Sequence, residues 1–309
     1  MVVTVTLNPA IDKTIEINHF EIGALNKVEN SIQDPGGKGI NVSKVIESLG
    51  GNSIATGFLG GSAGQYIQNA LKKLKISNDF IEIQNETRTN LKIFDRMSSD
   101  TTEVNEPGPY VNKFEVEALL EKVAQLLGER DILVISGSAP KSIQASIYSD
   151  LVLIGKNKGA SVFLDASGEA FKAGIEAKPD YIKPNRHELE LYFEHPIPDD
   201  EALMKAGHHF LEQGIPHVFV SLGKEGAFYC DKEAAYRLMP LKVETHSSVG
   251  AGDAFVGAFV YALDHDLSLD EMLRLAVATS AGAVMTIGTK PMNVEWIMNQ
   301  LDRIDIVKC

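Results

Sequence analysis

The sequence predicts a doubly wound α/β fold, in which helices cover both faces of a mainly parallel sheet. Short β-rich runs alternate with helical stretches along most of the 309 residues, as expected for strands joined by crossover helices. The run Ile-Leu-Val-Ile at 132–135 is continuously apolar, which is typical of a strand buried on both faces. With 44% hydrophobic residues and no internal repeat or linker, residues 1–309 are expected to form one domain.

The spacing of apolar residues places the individual elements along the chain. Predicted helices carry apolar residues three or four positions apart, and predicted strands are short apolar or β-branched runs. Strands are expected at 1–7, 54–59, 132–135, 162–164, 180–182 and 217–221. Helices are expected at 40–49, 63–74, 114–127, 142–157, 199–213, 253–263, 269–285 and 294–301, which makes the C-terminal third mainly helical.

Two segments, at about 10–33 and 86–109, interrupt this alternation. Neither has a good helical stripe, and each contains short alternating stretches, at 14–17 and 90–94. We predict strands outside the main sheet that form a small β-sheet lid. The exposed edge strands of such a lid would invite pairing with another chain.

Composition and charge argue against several classes of function. The chain has 29 Lys+Arg against 42 Asp+Glu, a formal net charge of −13, so we expect neither nucleic acid nor an anionic membrane as a partner. The two cysteines, Cys230 and Cys309, do not suggest a disulfide framework. The sequence starts with a strand-like run instead of a signal peptide and has no apolar run of about 18 residues, so a cytoplasmic location is expected.

The strongest local signal is Ser-Ser-Val-Gly-Ala-Gly-Asp-Ala-Phe at 247–255, which leads into an apolar helix. The main-chain N–H groups of Gly250, Ala251 and Gly252 and the positive end of the helix can bind a phosphate or a transferring phosphoryl group. Asp253 can accept a proton from a substrate hydroxyl at the same place. The alternative is a tight loop in which Asp253 only caps the helix. The spacing matches neither a Rossmann fingerprint nor a Walker A loop.

A second glycine-rich turn, Asp-Pro-Gly-Gly-Lys-Gly-Ile-Asn-Val at 34–42, also precedes a helix. The glycines allow a ligand to approach the backbone near Gly37, and Lys38 and Asn41 can point to the same side. Asp12 follows the first strand, at the edge where open α/β sheets bind ligands, and could accept hydrogen bonds from sugar hydroxyls. The alternatives are a turn with a solvated lysine and a simple Asn-Pro turn.

Arg88 lies in the predicted lid, within Glu-Thr-Arg-Thr-Asn at 86–90. A guanidinium can bind a phosphate or a carboxylate with two parallel hydrogen bonds. An exposed surface arginine is the alternative interpretation.

Two further loops have ambiguous signatures. Asn185 and Glu188 are three residues apart at a helix start, which suits either a magnesium-bound phosphate reached through water or a capping box. Ser221, Gly223 and Gly226 form a turn that suits either a nucleotide lying against the backbone or a plain hairpin. The histidines and cysteines show no metal-binding spacing, and no nucleophile elbow is present.

In order and combination, these motifs resemble the ribokinase-like sugar kinases of the PfkB family from end to end. The motifs that carry the resemblance are Gly-Gly-Lys-Gly-Ile-Asn-Val at 36–42, Ser-Gly-Ser-Ala-Pro at 136–140, Asn-x-x-Glu at 185–188, Ser-Leu-Gly-x-x-Gly-Ala at 221–227 and Val-Gly-Ala-Gly-Asp at 249–253. The segments at 6–12, 86–90 and 102–109 resemble the phosphosugar branch of that family, its kinases of fructose 1-phosphate and tagatose 6-phosphate.

The resemblance implies a ribokinase-like fold, ATP as the phosphoryl donor and Mg²⁺ bound with the phosphates. Fructose 1-phosphate is the expected acceptor, and tagatose 6-phosphate and fructose 6-phosphate are the alternatives. A kinase for an uncharged sugar or nucleoside and a non-catalytic sugar-phosphate sensor also remain open. Because lids often pair across a dimer in related kinases, we predict a homodimer through the lid.

The resemblance also implies a role for each site residue. Asp253 would be the base, with Gly250, Ala251 and Gly252 as the anion hole. The acceptor sugar would bind Asp12, Gly37, Asn41 and Ser136, with its phosphate on Arg88 and on Lys27 or Lys38. The nucleotide would bind Lys183, Asn185, Ser221, Gly223 and Gly226, and Glu188 would organise the metal through water.

Overall fold

The computed structural model describes residues 1–245, 250–286 and 292–309. Strands and helices alternate through these ranges, as the sequence predicts. The strands are β1 (Val2–Thr6), β2 (Ala10–Ile17), β3 (Val28–Gly36), β4 (Ser53–Leu59), β5 (Ser77–Asn78), β6 (Ile81–Glu82), β7 (Arg88–Asp95), β8 (Thr101–Val104), β9 (Ile132–Ser136), β10 (Ser161–Asp165), β11 (Tyr181–Ile182), β12 (His217–Ser221), β13 (Ala227–Cys230), β14 (Ala235–Leu238) and β15 (Ile306–Lys308).

The helices are α1 (Lys38–Ser48), α2 (Gly61–Lys73), α3 (Lys113–Leu126), α4 (Ser146–Asn157), α5 (Gly168–Glu176), α6 (Arg186–Phe193), α7 (Asp200–Glu212), α8 (Ala251–Asp264), α9 (Leu269–Val284) and α10 (Val294–Met298). Within the described ranges, none of them combines the length and the apolar character needed to cross a membrane.

The main sheet has the strand order β15-β14-β13-β12-β11-β10-β9-β1-β4-β5, with β6 also paired to β4. Neighbouring strands from β12 to β5 along this order are parallel, and β13, β14 and β15 extend the sheet in antiparallel fashion. The predicted doubly wound architecture is confirmed. The expected strands did not include β5, β6, β14 and β15, and the expected helices did not include α5. Strand β13 was covered only by the alternative of a hairpin at 221–226. Because β13, β14 and β15 lie in the C-terminal third, that part of the chain is less purely helical than expected.

The main sheet is buried on both faces. Along β9, Leu133 and Ile135 belong to one apolar core together with residues of α3 and α4. Ile132 and Val134 belong to a second core together with residues of α1, α8 and α9. Because successive side chains of a strand point to opposite faces, one continuous apolar run serves both cores, as its composition indicates.

A separate four-stranded sheet, called here the small sheet, has the order β3-β2-β7-β8. Strand β2 is antiparallel to β3 and parallel to β7, with Ala10 opposite both Gly36 and Arg88. These strands come from the two segments that interrupt the α/β alternation. The small sheet joins the main sheet at the carboxyl end of β1, because β2 starts four residues after Thr6 and α1 starts two residues after Gly36.

Candidate active site

Two helices begin at the carboxyl edge of the main sheet, each directly after a glycine with positive φ. Gly37 has φ 113° before α1, and Gly250 has φ 83° before α8. Only glycine adopts such angles readily. The first main-chain N–H groups of each helix have no partner inside the helix and lie at its positive end. The edge of the sheet therefore offers two places that favour an anion, one at the start of α1 and one at the start of α8. Residues 246–249, which include the first part of the motif at 247–255, lie outside the described ranges.

Close packing of α1 against α8 brings the two helix starts together. Gly257 faces α1, where a Cβ atom at position 257 would lie 2.6 Å from Cβ of Val45 and 3.0 Å from the main-chain oxygen of Val42. No other residue fits at this distance. This approach allows Asn41 Nδ2 to donate a hydrogen bond of 2.8 Å to Asp253 Oδ2.

Asp253 has the environment of a general base. It lies in the first turn of α8 and is 7% exposed. Burial raises the pKa of its carboxyl to about 6, while the nearby Lys38 and the Asn41 hydrogen bond favour the charged form. A carboxylate with a pKa near the working pH suits a base that must first accept and later release a proton.

A buried carboxylate, Asp165 at the end of β10, holds two lysines at the centre of the site. Its Oδ1 lies 3.3 Å from Nζ of Lys38 and 3.4 Å from Nζ of Lys183, and its Oδ2 accepts a hydrogen bond of 3.3 Å from Ser136 Oγ. Burial raises the pKa of Asp165, but the two lysines outweigh this effect and hold the pKa below its usual range. Asp165 in turn raises the pKa of Lys38, which stays positively charged.

Lys183 also borders the start of α8. A Cβ atom on Gly252 would lie 3.4 Å from Lys183 Nζ. An anion on the N–H groups at the start of α8 would therefore have an ammonium group beside it, which adds charge neutralisation to the helix N-terminus.

Arg88 starts β7 and faces the same edge from the small sheet. Its Nη1 donates to the main-chain oxygen of Glu106 (2.8 Å) and its Nη2 to that of Asn8 (3.0 Å). Nε is buried and has no hydrogen-bond partner among the described residues. Since a guanidinium carries five N–H donors, a partly buried, well-anchored cation with spare donors is available to an anionic ligand.

Asp12 and Asn90 lie opposite each other on β2 and β7. Asn90 Nδ2 donates to Asp12 Oδ1 (3.0 Å), and Asn90 Oδ1 is buried with no partner in the described ranges. They share the face of the small sheet on which Arg88 lies, because Asn90 is two residues after Arg88. This face therefore combines a cation with hydrogen-bonding groups for hydroxyls.

The loops after β11 and β12 adjoin each other on the other side of Lys183. Asn185 and Glu188 form a complete capping box on α6, with both hydrogen bonds at 2.8 Å. Asn185 also pairs with Ser221 in a parallel bridge. Gly223 and Gly226 frame the turn between the antiparallel strands β12 and β13. The capping box and the hairpin, which the sequence analysis gave as alternatives, are thus both present. The bridge places the main chains of the two loops side by side, close in sequence to Lys183.

The structure brings most of the predicted site residues to this one edge, with one exception. Lys27 precedes β3 and is exposed, and it lies nine positions before Gly36. At about 3.3 Å per residue along a strand, it lies roughly 30 Å from the site of its own chain. Asp165 and Asn90 were missed by the sequence analysis. A carboxylate at the end of an apolar strand was the available signal for Asp165.

Comparisons with known proteins identify the family of this chain. Residues 5–296 match the pfkB family carbohydrate kinase domain. The chain is 36% identical over 310 residues to the 1-phosphofructokinase of Bacillus subtilis, with 100% of each chain covered.

Two solved structures of phosphofructokinase-2 from Escherichia coli have the same fold. The complex with fructose-6-phosphate aligns with a TM-score of 0.91 at 28% identity, and the tetrameric inhibited form with a TM-score of 0.91 at 29% identity. Each alignment covers 98% of this chain and 98% of the other. The family match spans nearly the whole chain and includes every part of the site described above, and the chain therefore belongs to the pfkB family of carbohydrate kinases.

Proposed function

We propose that this chain is an ATP-dependent phosphosugar kinase that converts fructose 1-phosphate to fructose 1,6-bisphosphate. The observation that carries the proposal is the position of Asp253, a buried carboxylate at the start of α8 that lies within the field of Lys38 and Lys183. A base beside an anion site is what transfer of a phosphoryl group to a hydroxyl requires. The 36% identity to a 1-phosphofructokinase over the full chain supports fructose 1-phosphate as the acceptor.

In the proposed reaction, a carboxylate oxygen of Asp253 accepts the proton of the acceptor's C6 hydroxyl. The hydroxyl oxygen forms a bond to the γ-phosphorus of ATP while the bond from that phosphorus to the β,γ-bridging oxygen breaks, and ADP leaves with the bond's electrons. With a pKa of about 6, roughly nine-tenths of Asp253 is ionised at pH 7. The N–H groups of Gly250, Ala251 and Gly252 and the ammonium of Lys183 stabilise the charge on the transferring group.

The acceptor sugar is proposed to lie between the small sheet and α1. Arg88 would bind its phosphate, because spare N–H donors remain on the guanidinium after its two main-chain hydrogen bonds. Asp12 would accept hydrogen bonds from sugar hydroxyls, and Gly37 and Ser136 would contact the sugar from the main-sheet side. The small sheet is proposed to act as the lid of this site.

ATP is proposed to lie along Lys183, Asn185 and the 221–226 turn, with Mg²⁺ at its phosphates. In the described ranges, no three acidic, histidine or cysteine side chains lie close enough to hold a metal ion alone. Glu188 uses Oε2 in the capping box, and its Oε1 is proposed to bind a hydrated cation through water. When bound, Mg²⁺ would neutralise charge on the phosphates.

ATP and phosphosugars are cytoplasmic metabolites, and we expect the enzyme in that compartment.

A homodimer through the small sheet is proposed as the working form. Near the end of the sheet that is remote from the site, Ile22 is 91% exposed, Leu25 89% and Val28 51%. Large apolar side chains exposed together indicate a surface that another chain covers. Lys27 lies too far from the site of its own chain to bind the phosphosugar there. Pairing of two small sheets would carry Lys27 toward the phosphosugar that is bound by the partner. Light scattering across a concentration series tests this, and a monomer at micromolar concentration would refute it.

The test of the proposed activity is ADP release from Mg-ATP with three acceptors side by side. They are fructose 1-phosphate, tagatose 6-phosphate and fructose 6-phosphate. We expect kcat/KM to favour fructose 1-phosphate at least about a hundredfold, which corresponds to ~2.7 kcal/mol between transition states. A preference for either other acceptor would overturn the substrate but keep the kinase, and no turnover with any of them would refute the proposed function.

A further inference from the structure

Lys44 lies one helical turn after Asn41 on α1 and connects three parts of the site. Its Nζ donates to the main-chain oxygen of Pro35, near the end of β3, and lies 3.4 Å from Asn41 Oδ1. Asn41 Nδ2 in turn donates to Asp253 Oδ2 at 2.8 Å. A continuous chain of contacts therefore runs from the end of β3, through the Lys44 ammonium and the Asn41 amide, to the proposed base Asp253.

The two ends of the Asn41 amide are chemically different, so its orientation matters. With the NH₂ group toward Asp253, the amide donates to the carboxylate and favours its charged form. Turned by 180°, it would present its oxygen to that carboxylate and lose the hydrogen bond. An ammonium group has three donors and no acceptor. Lys44 thus attracts the amide oxygen and repels the NH₂ group, which selects the first orientation.

We propose that Lys44 is a positioning residue, which fixes the Asn41 amide so that its NH₂ group faces Asp253. The inference rests on the proposed kinase function, since Asp253 is its base. In this role Lys44 acts through Asn41 and through its own charge, without contact to the sugar or ATP.

The charges around Lys44 set the pH range in which this effect operates. Burial lowers the pKa of Lys44 to about 8, although Asp34 on β3, Asp12 on β2 and Asp253 on α8 raise it, while Lys92 on β7 lowers it further. Lys44 is therefore mostly charged below pH 7 and mostly neutral above pH 9. The other charged groups that act on Asp253 are Lys38, Lys183 and Asp165. These groups remain in any Lys44 variant, so their effect on the pKa of Asp253 is unchanged.

The test compares Lys44→Met and Lys44→Arg in the pH dependence of kcat/KM. In Lys44→Met we expect the acid limb to move to higher pH, because Asp253 loses a nearby cation and a fixed donor. The loss in kcat/KM should be about fivefold at pH 6, because a rise of roughly one unit from the pKa of about 6 lowers the ionised fraction of Asp253 from about 0.5 to about 0.1. The loss should fall below about 1.5-fold at pH 8.5, where Asp253 is ionised in both proteins and wild-type Lys44 is itself losing its charge. Lys44→Arg should restore the wild-type limb.

Lys122→Met serves as the matched control, because Lys122 pairs with Asp79 in an ion pair apart from this site. An equal loss at both pH values in Lys44→Met, or failure of Lys44→Arg to restore the limb, would overturn the inference. If wild-type protein turns over no acceptor, the proposed function itself fails. The positioning role is then measured directly by carbon-13 NMR titration of the Asp253 carboxyl, where an unchanged pKa in Lys44→Met would overturn it.

Discussion

The environment of Asp253 predicts that removing its charge will stabilise the protein while it inactivates the enzyme. In Asp253→Asn the side chain keeps its shape and can still accept a hydrogen bond from Asn41 through the amide oxygen. The pKa of Asp253 is raised from 3.8 to about 6 by folding. A carboxyl with a raised pKa contributes stability at low pH, and that contribution is lost as pH rises through the folded value.

The magnitude follows from proton linkage between these two pKa values. Above both, at pH 8, keeping Asp253 ionised in the fold costs about 3 kcal/mol, because each unit of pKa shift corresponds to about 1.36 kcal/mol. At pH 5 the folded carboxyl is mostly protonated, and the same relation leaves a cost of about 1.6 kcal/mol. Asp253→Asn should therefore gain up to these amounts of unfolding free energy at the two pH values.

Urea unfolding of both proteins at pH 8 and pH 5 measures the gain, and ADP release measures the loss of activity. We expect kcat to fall about 10²–10⁴-fold, the usual contribution of a general base. Asp264→Asn is a suitable control, because it is the same substitution at a carboxylate outside the site. Asp264 forms an ion pair with the N-terminal ammonium group of Met1. A variant that is less stable than wild type at pH 8, or a gain that does not grow between pH 5 and pH 8, would refute the assignment of Asp253 as a destabilised, ionised base.

Two further predictions test the binding of the substrate's phosphate by Arg88 and the packing of α1 against α8. Arg88→Ala should raise KM for the phosphosugar about 10–1000-fold, equivalent to ~1–4 kcal/mol, because it removes charge-assisted hydrogen bonds to the phosphate; steady-state kinetics check this, and equal losses with the unphosphorylated sugar would contradict it. Gly257→Ala should destabilise the fold by ~1–3 kcal/mol and lower kcat, because the new Cβ would force α8 away from Val45 and lengthen the Asn41–Asp253 hydrogen bond. Urea unfolding and ADP release measure both effects, with Gly282→Ala as a control whose Cβ meets nothing closer than 3.2 Å; similar losses in the two variants would refute the packing argument.

Local patterns in the sequence were sufficient for the framework of the fold. The apolar run of β9 indicated a strand buried on both faces, and the structure divides its side chains between two cores. The alternating stretches outside the main pattern indicated a second sheet. The short strands β14 and β15 were missed, because four or fewer residues carry too little periodicity to indicate a strand. The edge strand β15 also pairs with β14 from near the other end of the C-terminal third, so nothing local in the sequence indicates that pairing.

For the site, residue types and their spacing were sufficient to predict the chemistry available at each loop: glycine turns before two helices, a carboxylate in a first turn and an arginine at a strand start. The tertiary structure alone decided which of these groups meet. Asn41 reaches Asp253 across 212 positions because Gly257 lets two helices touch. Asp165 lies between Lys38 and Lys183 because β10 and β11 end at the edge of the main sheet where α1 begins. Such contacts depend on packing between distant segments, and the raised pKa of Asp253 follows from the burial that this packing produces.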